Sequence, residues 1–124
     1  LIFEDICRDY LWEMNKSTSL EFIFDKIGKW WGPNPHKKIQ EEIDILALNK
    51  NNALFGECKF RNKKTGKKVF DKLYERSLLI NKENRYYYIF SKSGFTKALK
   101  AIESKRNDLK LISIEEIFQI DNNK

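Results

Sequence analysis

Two carboxylates and a lysine stand inside otherwise apolar runs between Glu42 and Phe60, and their types and spacing suit phosphate chemistry at a metal ion. The runs are Glu42-Ile43-Asp44-Ile45-Leu46-Ala47-Leu48 and Ala53-Leu54-Phe55-Gly56-Glu57-Cys58-Lys59-Phe60. Charged side chains are seldom buried without a partner, so Asp44, Glu57 and Lys59 call for one. Asp44 and Glu57 offer hard oxygen ligands suited to Mg²⁺ or Mn²⁺, and the backbone carbonyl of Cys58 is a further candidate. Waters and a substrate phosphate would complete an octahedron. Lys59, beside such an ion, would hold or deprotonate the attacking water or stabilise charge developing on a phosphate oxygen.

Both runs read as strands, being short, rich in β-branched or large apolar residues and bounded by turn formers or charge. Asn49-Lys50-Asn51-Asn52 is the turn between them. Paired as an antiparallel hairpin, a period of two puts Glu42 and Asp44 on one face of the first strand and Glu57 and Lys59 on one face of the second. The charged faces can then meet.

At these residues the chain resembles the PD-(D/E)XK, or restriction-endonuclease-like, superfamily. Asp44 stands for the aspartate and Glu57-Cys58-Lys59 for the (D/E)XK element, with a short hairpin between them; Ile43 takes the place of the motif's proline. Over nearly the whole chain there is a closer resemblance, to the nuclease-like C-terminal domain of unknown function carried by archaeal AAA-type ATPases. Gly28-Lys29-Trp30-Trp31-Gly32, Glu42-Ile43-Asp44-Ile45 and Gly56-Glu57-Cys58-Lys59-Phe60 carry it. The resemblance implies a metal-dependent endonuclease-like domain that hydrolyses DNA phosphodiesters, with Asp44, Glu57 and Lys59 catalytic and Glu4, Asp44, Glu57 and Cys58 around a Mg²⁺ or Mn²⁺ ion. It also implies an ATPase domain covalently linked on the N-terminal side. For Glu4 a second role fits equally, that of an exposed first-turn glutamate favoured by the helix dipole.

The elements that must position these residues follow from periodicity. Phe3, Ile6, Cys7, Tyr10 and Met14, widened by Leu11, form the stripe of an amphipathic helix over residues 2–15. After the polar connector Asn15 to Ser19, the aromatic-rich stretch Leu20 to Trp31 predicts a strand ending near Gly32, and Gly32 to Lys38 predicts a loop. Trp30 and Trp31 then point to opposite faces. One packs in the core, and the other either packs at an edge or offers a base a stacking surface beside the site. His36, the one histidine, falls in the loop and is assigned no catalysis.

From Lys59 to Arg76 the chain is at its most basic. Arg61, Lys63 and Lys64 fall in a loop leaving the second strand, and Lys67, Lys68, Lys72 and Arg76 accompany a helical stripe of Val69, Phe70, Leu73, Tyr74 and Ile80. Such a loop and helix would line the path of a phosphate backbone, or simply keep the surface soluble. Tyr86 to Phe90 reads as a central strand apolar on both faces. A helix through Phe95, Ala98, Leu99 and Ile102, a short strand over Leu109 to Ile112, a capping box at Ser113-Ile114-Glu115-Glu116 opening a last helix, and a polar tail from Asp121 complete the chain. The fold class is therefore α/β, a mixed central sheet flanked by helices in the order αβββαβαβα, which is the order of the restriction-endonuclease-like core.

The 124 residues suffice for one core but not for two. A net charge of +6 favours a polyanionic partner, nucleic acid first, over a merely solvated basic surface. Cys7 and Cys58 each lie in apolar patterns and read as free buried thiols. No apolar run approaches ~18 residues and no export signal is present, so the expected compartment is the cytoplasm. Leu1 opens within a helical pattern and without a methionine, as a piece of a longer protein would. No Walker-type phosphate loop occurs, so ATP hydrolysis is not expected of this segment. DNA is the expected substrate of a nuclease reading; a non-catalytic nucleic-acid-binding module and a protein-docking domain of an ATPase are the alternatives, and a homo-oligomer is compatible with all three.

Overall fold

Five strands lie side by side in chain order, and the direction of pairing changes at the middle one. The computed structural model describes residues 2–122, with side chains through Gln119. The elements are α1 (Ile2–Lys16), β1 (Lys26–Asn34), β2 (Ile39–Leu48), β3 (Asn52–Lys59), α2 (Lys67–Ser77), β4 (Asn84–Ser91), α3 (Lys97–Lys105), β5 (Leu109–Ser113) and α4 (Ile114–Asn122). β1, β2 and β3 pair antiparallel, whereas β3, β4 and β5 pair parallel. The result is a mixed α/β fold with helices on both faces of the sheet, in the expected order of elements.

The two parallel connections advance across the sheet in the same direction, and right-handed crossovers of that kind put their helices on the same face. α2 and α3 accordingly pack one core layer, with Phe55, Phe70, Leu73, Tyr87 and Leu99. α1 and α4 pack the other, with Cys7, Leu11, Leu54, Phe90 and Ile117. Tyr87 and Tyr88 in β4 are both buried, one in each layer, as a strand covered on both sides requires.

The hairpin β2–β3 stands as expected, closed by a turn in which Asn49 Oδ1 accepts from the backbone N–H of Asn51 and Asn52. β1 differs from expectation at both ends. Residues 20–25 are not strand: Phe24 turns its ring into the core and its backbone is clamped by Asn15, whose side chain accepts from the Phe24 N–H at 2.9 Å and donates to its carbonyl at 3.2 Å. Aromatic content there serves packing against α1, not a pleat. The strand instead continues through Gly32, Pro33 and Asn34, and the loop shrinks to residues 35–38. Pro33 is tolerated because β1 is an edge strand, where one side of the backbone needs no ladder partner.

α2 stops at Ser77, so Ile80 packs from outside the helix. Ser77 Oγ donates back to the Tyr74 carbonyl, and the Arg85 guanidinium caps the end by donating to the carbonyls of Ser77 and Ile80. At α4, the Glu116 N–H donates to Ser113 Oγ, half of the expected capping box. Asp121 and Asn122 continue that helix where a polar tail was expected, and residues 123 and 124 lie outside the described residues.

β2 carries an irregularity that periodicity does not show. Between the pairs Gly28–Leu46 and Trp30–Ile43, β1 has one residue, Lys29, and β2 has two, Asp44 and Ile45. This β-bulge breaks the alternation, so Ile43 packs in the α2/α3 layer while Ile45 packs in the α1/α4 layer. Gly56 faces Ile45 across the hairpin, and a Cβ there would lie 3.0 Å from Ile45 Cβ. Gly56→Val is expected to cost about 1–3 kcal/mol through overpacking. At Gly28 an added Cβ meets nothing within 4 Å, so Gly28→Ala should stay within about 0.5 kcal/mol. Urea unfolding of both variants checks the pair; equal midpoints would remove the packing constraint from Gly56.

Candidate active site

The site begins where the ladder between β2 and β3 gives out. Their pairing stops at Ile45–Gly56, yet β3 stays paired with β4 as far as Lys59–Ser91. In the opened end the Asp44 side chain takes over, its Oδ2 accepting the Cys58 N–H at 3.0 Å. The bulge makes this reach possible by re-aiming the chain at residue 44.

Asp44 thereby comes against Glu57, which is only 7% exposed. Burial, and next the charge of Glu57, raise the Asp44 carboxyl from 3.8 to about 6; the Cys58 N–H opposes the rise, while Glu4 and a hydrogen bond shared with Glu57 add to it. Two carboxylates this close hold a proton between them or a cation. On the other side of Glu57 lies Lys59, its Nζ 2.9 Å from Glu57 Oε2. Asp44, Glu57 and Lys59 therefore stand together as a chain of contacts, acid to acid to ammonium.

Glu4, on α1, is near enough to raise Asp44 but is itself held by Lys29, at 3.2 Å. Lys29 also binds Glu42, at 2.6 Å, and that hydrogen bond is the main cause that raises the lysine's pKa. Lys29 is the residue opposite the bulge, and it was missed in the sequence, where it is one cation in an aromatic strand. Cys58 presents its thiol to Cys7; their hydrogen bond, and then burial, push the Cys58 thiol far up, so it stays neutral. Both cysteines are free, as expected; Cys7 is buried, whereas Cys58 is half-buried where a buried thiol was expected. Among the described residues no three His, Cys, Asp or Glu side chains group closely enough to hold a metal ion by themselves; the close set is the Asp44–Glu57 pair.

The basic stretch divides. Lys68, Lys72 and Arg76 recur at four-residue spacing along α2 and, with Val69, Glu57 and Lys59, line a cleft of about 190 Å³. Arg76 is also 3.7 Å from the buried Glu41, a partner that sequence reasoning missed, and its Nε makes no hydrogen bond. Lys67 is instead tied to Asp71 at 2.7 Å, and Lys63 and Lys64 are exposed on the loop. Arg61 is half-buried, its carbonyl accepting from Ser93 Oγ and its Nε without a hydrogen-bond partner. Trp30 packs against the α2/α3 layer, whereas Trp31 is 64% exposed with Lys29 Nζ 5.8 Å from its ring. His36 is exposed in the turn.

Fold and site together define a class: a mixed five-stranded α/β domain with a carboxylate pair and a lysine at the opened end of its central hairpin. Residues 1–70 match the DUF234 family model, described as archaea bacterial proteins of unknown function, and the chain belongs to that family. It is similar to the uncharacterized protein MJECL04 of Methanocaldococcus jannaschii, with 38% identity over 93% of this chain and 25% of the relative. The chain thus spans about a quarter of that protein's length. The crystal structure of AF1548, a protein of unknown function, has a similar fold, with a TM-score of 0.61 and 20% identity over 94% of this chain and 66% of that one. No helix is long and apolar enough to cross a membrane among the described residues.

The raised Asp44 carries a sign. Below its ordinary 3.8 the group is protonated folded or unfolded; the stability that its native proton supplies is lost as pH rises through about 6. In metal-free protein Asp44→Asn removes the charge and keeps an acceptor for the Cys58 N–H. It is expected to stabilise at pH 8 by on the order of 1 kcal/mol, allowing for partial exposure, and to change little near pH 3. Thermal unfolding at the two pH values in EDTA tests this; a variant less stable than the parent at pH 8 would show that the carboxylate is not under strain.

Proposed function

We propose that this domain is a metal-dependent nuclease of the PD-(D/E)XK kind, hydrolysing DNA phosphodiesters. The observation that carries the reading is the buried contact of Asp44 with Glu57, with Lys59 2.9 Å beyond and a cationic cleft alongside. The donor set suits Mg²⁺ or Mn²⁺: Asp44 and Glu57 bring hard oxygens, their crowding is what a cation relieves, and Glu4 and the Cys58 carbonyl are the further donors nearby. Such an ion, when bound, supplies charge neutralisation at the phosphate and a lowered pKa for attacking water.

The chain's own residues do the rest. Lys59 holds an ammonium at the mouth of the carboxylate pair, where it neutralises charge developing on a phosphate oxygen or orients the attacking water. Lys68, Lys72 and Arg76 hold phosphates on either side of the reacting one, with Arg61, Lys63, Lys64 and Lys67 contributing to the wider positive field. Lys29 keeps Glu4 and Glu42 paired and so limits the negative charge that a phosphate meets. An ATPase domain N-terminal to this one is part of the same proposal.

The Lys59–Glu57 ion pair favours a second reading, a nucleic-acid-binding module without catalysis, in which the lysine takes the cation's place. The test separates them. Plasmid and branched DNA are offered with Mg²⁺ or Mn²⁺, in the domain and in its full-length protein. Cleavage is expected to disappear in Asp44→Ala and Glu57→Ala while binding survives. Lys59→Ala should lose on the order of a hundredfold in rate or more, with calorimetry showing metal affinity unchanged or improved. No divalent binding at millimolar concentration and no cleavage of any DNA form would leave the binding module.

DNA affinity should also fall as a power of salt concentration. Neutralising Lys68 and Lys72 together is expected to reduce that slope by about one unit per charge removed. Neutralising Lys67, already paired with Asp71, or Arg76, already beside Glu41, should reduce it less; a slope insensitive to all four would return the basic helix to a solubilising role.

A further inference from the structure

The charge of the molecule is divided between its two faces. On α2 and α3 stand Lys67, Lys68, Lys72, Arg76, Lys97, Lys100 and Lys105, against Asp71, Glu75 and Glu103. α1 reverses the balance, with Glu4, Asp5, Asp9 and Glu13 against Arg8 and Lys16, and α4 opens with Glu115 and Glu116. A chain of net charge +6 thus presents an acidic face on the side of α1 and α4.

That acidic face is also where apolar side chains are exposed together. Two hollows, of about 790 and 610 Å³, adjoin there and share Ile6 and Phe118. Ile2, Phe3 and Phe60 line the first with Glu4; Trp12 and Ile117 line the second with Asp9, Glu13 and Lys16. Ile2 is 81% exposed, Phe60 58%, Phe118 45% and Trp12 41%. Contiguous exposed apolar surface of this kind marks an interaction site rather than chance. The hollows run along α1, whose 15 residues span roughly 22 Å at 1.5 Å per residue.

We infer that the trough between α1 and α4 docks an amphipathic helix of a protein partner, its apolar stripe on Ile6, Trp12 and Phe118 and its flanks carrying lysine or arginine. The length of the trough fits a helix laid along it, which anchors at positions three and four apart. Charge complementarity selects the flanks: Glu4 is held by Lys29 and Glu13 by Lys16, but exposed Asp9 and the acidic excess of α1 and α4 still attract basic side chains and repel a phosphate backbone. Nucleic acid is thereby directed to the other face, around α2. Glu4 and Cys58, the further donors of the nuclease reading, line one hollow, but the inference rests on Ile6, Trp12, Phe118 and Asp9, none of which takes part in that reading.

The probe is a labelled synthetic helix of about 18 residues, leucines on one stripe and lysines elsewhere, long enough to span the trough. Its control is the same peptide with glutamate in place of lysine. The lysine peptide is expected to bind the whole chain, with amide shift changes confined to α1, α4 and the neighbourhood of Phe60. Phe118→Ser and Trp12→Ser, both exposed positions, should each weaken it about tenfold while circular dichroism stays unchanged. Asp9→Asn with Glu13→Gln should flatten its salt dependence. Equal binding of the glutamate peptide, no binding of either, or affinity untouched by Phe118→Ser would overturn the proposal. So would self-association that Phe118→Ser abolishes, which would assign the trough to a second copy, or displacement of the lysine peptide from α1 and α4 by an oligonucleotide.

Discussion

Two carboxylates held against each other in a half-buried place are costly, and much of the structure around β2 and β3 manages that cost. Were the ladder to run on past Ile45–Gly56, Asp44 would still face Glu57, but a backbone carbonyl would take the Cys58 N–H. The bulge opposite Lys29 and the end of pairing at Ile45–Gly56 instead let it reach the Cys58 N–H. Three things offset the repulsion: that donated hydrogen bond, the Lys59 ammonium on Glu57, and a proton that Asp44 retains up to about pH 6. Burial and like charge held together in this way shift a carboxyl's pKa, as they do at sites built for proton or cation binding.

Lys29 shows how narrow the balance is. By pairing with Glu4 it keeps a further carboxylate from adding its full charge to the pair, and it holds Glu42 as well. Its position follows from the bulge, since it is the single β1 residue set against two in β2. A backbone irregularity therefore places both the acid that binds Cys58 and the cation that shields it. Beyond this centre the charge separates by face, an excess of cations on α2 and α3 and of acids on α1 and α4, so the two faces of one small domain carry fields of opposite sign.

Local chemistry made several elements legible. The α1 stripe, the Asn49-centred turn and the doubly apolar β4 each follow from period, turn donors or burial on both sides, and these do not depend on distant partners. Asp44 and Glu57 could be singled out because charge in an apolar run is rare, and a hairpin brings them near each other whatever its details. What escaped was set by tertiary context. Phe24 looks like strand but is a core residue clamped by Asn15, and Pro33 looks like loop but sits on an edge where no ladder bond is missed. The bulge adds one residue without any glycine or proline to announce it, and so Lys29 and the buried Glu41–Arg76 contact could not be paired from spacing.

The site's position on β3 has a topological reason as well. β3 is antiparallel to β2 and parallel to β4, so it is the strand at which the sheet changes sense. The connections leaving β3 and β4 start from the same end, and crevices outside the carboxyl ends of strands are where open α/β sheets bind ligands. Here the two connections are tied together: Thr65 and Phe95 form a bridge, Thr65 Oγ1 donates to Ser91 Oγ at 3.0 Å, and Ser91 Oγ donates to the Gly94 carbonyl at 2.9 Å. Gly94 holds a φ of 82°, in the left-handed region that favours glycine, which allows this tight return. The Lys92 N–H closes the frame on the Lys59 carbonyl at 3.0 Å. Lys59 is thus fixed by backbone on the β4 side while its side chain works toward Glu57. A lysine held at its backbone by β4 and at its ammonium by Glu57 has little freedom left to lose, which is preorganisation in the physical sense.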